Sequence, residues 1–232
     1  MESALLRVED VKVSYGQSQV IPGLSFHAEE NEIVAVMGRN GMGKTTLFKA
    51  LIGILPLRGG SIVVGGKSLG GQEPCERVKE GLAYVPQGRL IFPFLTVEEN
   101  IQAGLRSRRE GVPEEIFGFF PVLKEMRKRR GGNLSGGQQQ QLAIARALAS
   151  HPRVLLLDEP TEGIQPSIIK ELAQILKLIR DKKGLTIIVS EQVLSFALDV
   201  ADRLLVLDRG RAIQESLRSE VDVLTMNRLL SI

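Results

Sequence analysis

The chain of 232 residues has no tryptophan, two tyrosines and eight phenylalanines, so aromatics make up 4% of it. It therefore offers no platform of stacked rings on which bases could lie. A single cysteine, Cys75, excludes an intrachain disulfide and fits a reducing compartment. Following Pro74, it reads as a helix-start residue rather than a nucleophile. No run approaches the roughly eighteen apolar residues needed to cross a bilayer. The start, Met1-Glu2-Ser3-Ala4, lacks the charged and apolar regions of a secretion signal. A soluble protein, or one held at a membrane only by other proteins, is expected. The charge imbalance is also small: 30 basic against 27 acidic residues leave a net +3. The basic residues are dispersed, which argues against nucleic acid as a partner. The exception is Lys124 to Arg130, which reads either as a solvated helix face or as a contact for anionic lipid head groups. There is no internal repeat and no low-complexity tract.

What is present is organised around Gly38-Arg39-Asn40-Gly41-Met42-Gly43-Lys44-Thr45-Thr46. An apolar run, Ile33 to Met37, precedes it as a buried strand, and helical spacing at Leu47, Leu51, Ile52 and Leu55 follows. Strand, glycine-rich turn and helix form the context of a phosphate-binding loop. Its glycines permit backbone angles that a Cβ would block. Consecutive N–H groups can then face one concavity at the positive end of a helix. Lys44 adds a charge for the β- and γ-phosphates, and the Thr45 hydroxyl is a ligand type for Mg²⁺.

Residues 4 to 28 alternate as half-buried strands and predict an antiparallel sheet, with Tyr15 at its rim. Further strands are predicted at 61–64, 82–85, 154–157, 185–189 and 204–207, with a short helix over 73–79 and a long amphipathic one over 166–181. Between about 88 and 150 the pattern is mostly helical. Thr96-Val97-Glu98-Glu99 is a capping box, and helices are expected at 114–120, 122–128 and 139–149. The sum is an α/β fold in a single domain, residues 1–232. It has a phosphate-binding-loop NTPase core with a mostly parallel sheet, an N-terminal antiparallel β subdomain and a helical subdomain inserted over 88–150. Ile91, Phe92, Phe94 and Leu95 read either as subdomain core or as the lining of a groove for a partner helix.

Asp158 and Glu159 end the apolar run Val154 to Leu157. Adjacent carboxylates at a strand end point different ways and can hold different jobs. Asp158 is expected to face Mg²⁺, and Glu159 an attacking water as general base.

With the phosphate loop, Gln87 after a strand, Leu134-Ser135-Gly136-Gly137-Gln138, and Leu155-Leu156-Leu157-Asp158-Glu159-Pro160 in that order, nearly the whole chain resembles the ATP-binding cassette (ABC) ATPases. The resemblance implies an ATPase with ATP and Mg²⁺ as cofactors, working as a two-nucleotide sandwich. Ser135, Gly136, Gly137 and Gln138 would meet the γ-phosphate held by the opposite subunit, with an ordinary helix N-cap at Ser135 as the alternative. Gln87 would touch Mg²⁺ and sense a membrane partner, or be a surface amide. Tyr15 would stack on adenine, or be an exposed edge-strand tyrosine. The resemblance also implies a second ATPase subunit, identical or a sister, two integral-membrane permease subunits and indirectly a solute-binding protein. It places the chain as a peripheral protein at the cytoplasmic face of the membrane.

Two positions depart from the common pattern. Where many cassettes carry a switch histidine, this chain has Gln192, which can donate a hydrogen bond but cannot become cationic. Gln165 stands where an aspartate is common. These departures look like the branch serving branched-chain amino acids and amides. Within it, residues 15–19, 86–93 and 129–141 resemble the second ATPase subunit of urea importers. A cassette acting in translation or DNA repair is the competing class, but such relatives usually pair two cassettes in one chain or carry long coiled coils. A nucleotide-binding regulator without useful turnover is a third class, which intact Lys44, Asp158 and Glu159 argue against.

Overall fold

A computed structural model describes residues 4–107 and 111–231. Met1 to Ser3, part of the stretch read as lacking a secretion signal, lie outside them. In chain order the elements are β1 (Leu6–Tyr15), β2 (Ser18–Ala28), β3 (Ile33–Met37), α1 (Lys44–Ile52), β4 (Gly59–Val64), β5 (Lys67–Ser68), α2 (Pro74–Lys79) and β6 (Leu82–Val85). Then come α3 (Val97–Gln102), α4 (Glu114–Phe119), α5 (Pro121–Glu125), α6 (Gly136–Leu148), β7 (Val154–Asp158), α7 (Pro166–Lys183), β8 (Thr186–Glu191), α8 (Leu194–Val200), β9 (Arg203–Asp208), β10 (Arg211–Leu217) and α9 (Val223–Ser231). Among the described residues no helix is long and apolar enough to cross a membrane.

The strands form two sheets. The first is antiparallel, ordered β2-β1-β4-β5. The second is ordered β10-β9-β3-β8-β7-β6 and is parallel except for the β9–β10 pair. Every residue of β3 and β7 is buried, as expected for parallel strands covered on both faces. One core cluster lies between the parallel sheet and the helices α3 to α8; the other fills the space between the two sheets and α1.

Of the element ends that differ from expectation, three helix ends have a clear physical reason. Helix α1 stops at Ile52, leaving Leu55 outside, because Gly53 adopts a left-handed conformation (φ 91°) and closes the helix. The buried Arg77 guanidinium also donates to the last-turn carbonyls of Ala50 and Leu51, both at 2.8 Å. Helix α5 ends at Glu125 instead of continuing to 128. The Arg127 and Arg129 carbonyls instead accept from the backbone N–H groups of Glu98 and Val97, at the start of α3. Helix α6 starts earlier, at Gly136, because Ser135 and Gln138 cap each other reciprocally and draw the two glycines into the first turn.

Arg203 clasps the two sheets together. Its guanidinium binds both carboxylate oxygens of Glu32, at 2.8 and 2.9 Å, and donates to the His27 carbonyl at 2.7 Å. Burial pushes the Glu32 carboxyl up, but the Arg203 hydrogen bonds and the Glu29 backbone N–H outweigh it and hold it below its ordinary 4.5. A depressed carboxylate contributes stability above its unfolded-state value and loses it as pH falls through the folded one. Glu32→Gln should therefore cost about 2 kcal/mol at pH 7. In urea titrations its deficit against wild type should shrink as pH falls below 4.5.

Candidate functional site

Parallel pairing in register delivers the site. Met37 pairs with Glu191, and Asp158 with Ser190, so β3, β7 and β8 end at one level. At this edge the segments after β3, β6 and β7, with Val20 of β2, surround a cavity of 190 Å³ lined by Val20, Asn40, Gly41, Gly43, Lys44, Thr45, Thr46, Gln87 and Glu159. Ligand crevices of open α/β sheets lie at this edge.

The turn after β3 is shaped by its glycines. Gly38 passes so close to β9 that a Cβ there would lie 2.7 Å from the Leu207 carbonyl oxygen. Gly43 is the N-cap of α1 in a left-handed conformation (φ 102°), with no side chain capping the helix. The first N–H groups of an α-helix have no intrahelical partner. An uncapped start beside a lysine is therefore a positive pocket suited to an anion.

Lys44 is 3% exposed and Glu159 8%, and their charged groups lie 3.0 Å apart. Lys44 Nζ also donates to the carbonyls of Gly38 (2.6 Å) and Arg39 (3.0 Å). Glu159 itself has φ 47°, a conformation costing roughly 1 kcal/mol or more for an L-residue. Its N–H is held by the carbonyl (3.1 Å) and hydroxyl (3.0 Å) of Ser190. Gln192 Nε2 bridges Asn40 Oδ1 (2.8 Å) and Glu159 Oε2 (3.1 Å). The two adjacent carboxylates do point apart. Asp158 turns to three hydroxyls: Ser190 Oγ (2.6 Å) and Thr45 Oγ1 (3.3 Å) donate to Oδ1, and Tyr84 (3.1 Å) donates to Oδ2.

Tyr84 and Ser190 are site residues to which the sequence does not point. Tyr84 sits on β6 and Ser190 on β8, where each looks like an ordinary strand residue, and only the strand register reveals them. Burial first, then the neighbouring Asp158 charge, pushes the Tyr84 phenol well above its ordinary value, so it stays a donor. Burial likewise pushes the Glu191 carboxyl up. Its oxygens accept the N–H groups of Thr161 (3.1 Å), Gln192 (3.0 Å) and Val193 (3.3 Å), tying the segment after β7 to the one after β8.

Other sequence candidates lie elsewhere. Tyr15 ends the β1–β2 hairpin at 47% exposure, outside the cavity lining. Ser135, Gly136, Gly137 and Gln138 are not in that lining either; Ser135 is an N-cap whose hydroxyl accepts from the Gln138 N–H at 3.3 Å. Of the apolar residues past Gln87, Ile91 packs on the core, while Phe92, Phe94 and Leu95 are exposed, Phe94 by 82%. In the basic run, Lys124 pairs with Glu114 (3.1 Å), and Arg127 with Glu98 (2.6 Å) and Glu114 (3.2 Å).

The family model described as ABC transporter matches residues 21–162. The chain is 38% identical over 213 residues to the high-affinity branched-chain amino acid transport ATP-binding protein BraG of Pseudomonas aeruginosa, covering 90% of this chain and 91% of that one. It is 33% identical over 217 residues to the lipopolysaccharide export system ATP-binding protein LptB of Haemophilus influenzae, covering 90% and 89%. Among solved structures, the ADP conformation of an ATP-binding cassette of an ABC transporter superposes with a TM-score of 0.84 at 26% identity, covering 97% of this chain and 96% of that chain.

Removing either partner of a buried ion pair strands the other. Lys44→Ala and Glu159→Gln, alone and combined, should show a coupling of about 2 kcal/mol in unfolding experiments without ligand. Additive single effects would mean that the pair contributes nothing to the fold.

Proposed function

The chain belongs to the ABC transporter family and is an ATPase of that family, and on that premise we propose that it is the ATP-hydrolysing subunit of an importer. In this reading it forms a nucleotide sandwich with a second cassette. The observation that carries it is convergence: Lys44, Thr45 and Glu159 share one cavity, Asp158 and Gln192 adjoin it, and the Ser135–Gln138 stretch stays outside its lining. A lone copy thus holds half of the apparatus the family resemblance calls for. The partner's stretch would supply the rest, with residues 88–150 as the helical subdomain that presents it.

The residues fit both cofactors. The uncapped start of α1 and the Lys44 ammonium suit the phosphates of ATP. Thr45 and Asp158 offer oxygen donors, with the Gln87 amide at the cavity wall, as a hard cation such as Mg²⁺ requires. When bound, Mg²⁺ neutralises charge developing on the β- and γ-phosphate oxygens. Lys44 orients the γ-phosphate, Asp158 and Thr45 fix the metal's position, and Glu159 takes a proton from water. Gln192, bonded to Glu159, would hold that base in place without contributing a positive charge. Tyr15 is read as the adenine contact, from the rim of the first sheet.

The solute is read from kinship alone. Glu191-Gln192, the Glu162–Ser167 string and the three stretches 15–19, 86–93 and 129–141 support a urea importer. BraG supports the alternative, branched-chain amino acids, with short amides as the other solute of that branch. Identities of 38% to a branched-chain amino acid transport relative and 33% to an export relative differ little, so overall identity does not decide direction or solute. Permease subunits, a sister ATPase and a solute-binding protein are the expected companions, with this chain peripheral at the cytoplasmic face.

Glu159→Gln should bind ATP within about twofold of wild type while turnover falls by about 100-fold or more. Fluorescent-nucleotide titration and phosphate release measure the two, and normal turnover would remove Glu159 from the role. Cells lacking the chain should lose uptake of labelled urea and keep that of leucine; the reverse pattern would favour the branched-chain reading.

A further inference from the structure

The segment after Gln87 is held in a disfavoured shape. Gly88, Arg89 and Leu90 all have positive φ, at 80°, 68° and 44°. Only the first is glycine, so something must compensate for two L-residues in the left-handed region. The Arg89 N–H donates to the Pro86 carbonyl (3.1 Å) and the Leu90 N–H to that of Gly88 (2.7 Å). The Arg89 side chain reaches away from its own loop. Its Nη2 donates to the Glu162 carbonyl at 2.9 Å and lies 3.5 Å from that of Gly163. The same guanidinium passes beside Gly136, where a Cβ would stand 3.3 Å from Nη1. On the other side, Arg146 of α6 donates to the Arg89 carbonyl (3.3 Å) and stacks its guanidinium 5.1 Å from the centre of the Phe92 ring.

Arg89 therefore sits where three segments meet: the loop presenting exposed Leu90, Phe92 and Phe94, the start of α6, and the turn after β7. That turn begins at Glu159. The Glu162 N–H donates to the Glu159 carbonyl at 3.2 Å, and the Ile164 N–H to that of Thr161 at 3.2 Å. The Arg89 bonds go to backbone carbonyls, so the contact reads the shape of the turn rather than its side chains. We propose that Arg89 is a positioning residue that ties the turn carrying Glu159 to the loop carrying the exposed apolar patch. The proposal rests on the role assigned above to Glu159. With the tie in place, Glu159 is held by Ser190 at its backbone N–H and by Lys44 and Gln192 at its carboxylate, while the turn that follows it is braced.

Arg89→Ala and Arg89→Lys test it in the full chain, by turnover of ATP with Mg²⁺ and by backbone amide exchange over residues 154–164. Arg89→Ala should lower kcat about tenfold, as misplacement of a reacting group does, with KM for ATP within about twofold. It should also speed exchange of the Glu162 and Ile164 N–H groups while β7 stays protected. Arg89→Lys, still able to donate to the Glu162 carbonyl, should recover part of both. Unchanged kcat, unchanged exchange in the turn, or faster exchange throughout β7 would each overturn the proposal. Glu159→Gln is run alongside. Were it to turn over normally, the role of Glu159 would fall, and exchange at Glu162 and Ile164 would still decide whether Arg89 braces the turn.

Discussion

The parallel register of β3, β7 and β8 is the constraint on which the rest depends. Asp158 opposite Ser190, and Met37 opposite Glu191, bring three chain segments to one edge without any one of them carrying a complete site. Side chains alternate in a strand with a period of two, so a slip of one residue would turn Asp158 into the core and aim Leu157 at Thr45. The apolar stretches that make these strands so buried are thus also what aims the polar groups. Stability and chemistry share the same residues up to the last position of each strand, then part.

That division explains how much the sequence disclosed. Runs such as Val154 to Leu157 are long, purely apolar and followed by charge, and these positions were legible as strand and site together. The glycine-rich turn after β3 was legible because glycine alone tolerates the approach of Gly38 to Leu207 and suits the left-handed cap at Gly43. Helix ends were less legible. The stop at Gly53, the early start at Gly136 and the short α5 each depend on a hydrogen bond whose acceptor or donor lies beyond the periodic pattern. Tyr84 and Ser190 left no signal, because nothing in a linear pattern states which strands are neighbours. Arg89 is the extreme case, with carbonyl partners 73 and 74 residues away.

The exposed aromatics after Gln87 show the same limit from the other side. An apolar cluster in sequence is ambiguous between core and interface, and Ile91 went one way while Phe92 and Phe94 went the other. Asn100 makes the split possible. Its buried amide accepts the Phe92 N–H at 2.8 Å and donates to the carbonyls of Phe92 and Thr96, both at 2.9 Å. A satisfied buried amide pins the loop backbone, which lets the loop hold its large rings out in water.

The pairing of Lys44 with Glu159 has a consequence for order of events. Without nucleotide, each group neutralises the other, and neither pays for a lone buried charge. On the proposed reading, a γ-phosphate beside Lys44 would bring its own negative charge and compete for that ammonium. Glu159 would then keep the amide of Gln192, a neutral donor that cannot carry the charge of an imidazolium. On the same reading, glutamine in place of a titratable residue at 192 holds that carboxylate through a donor whose charge does not change with pH near neutrality.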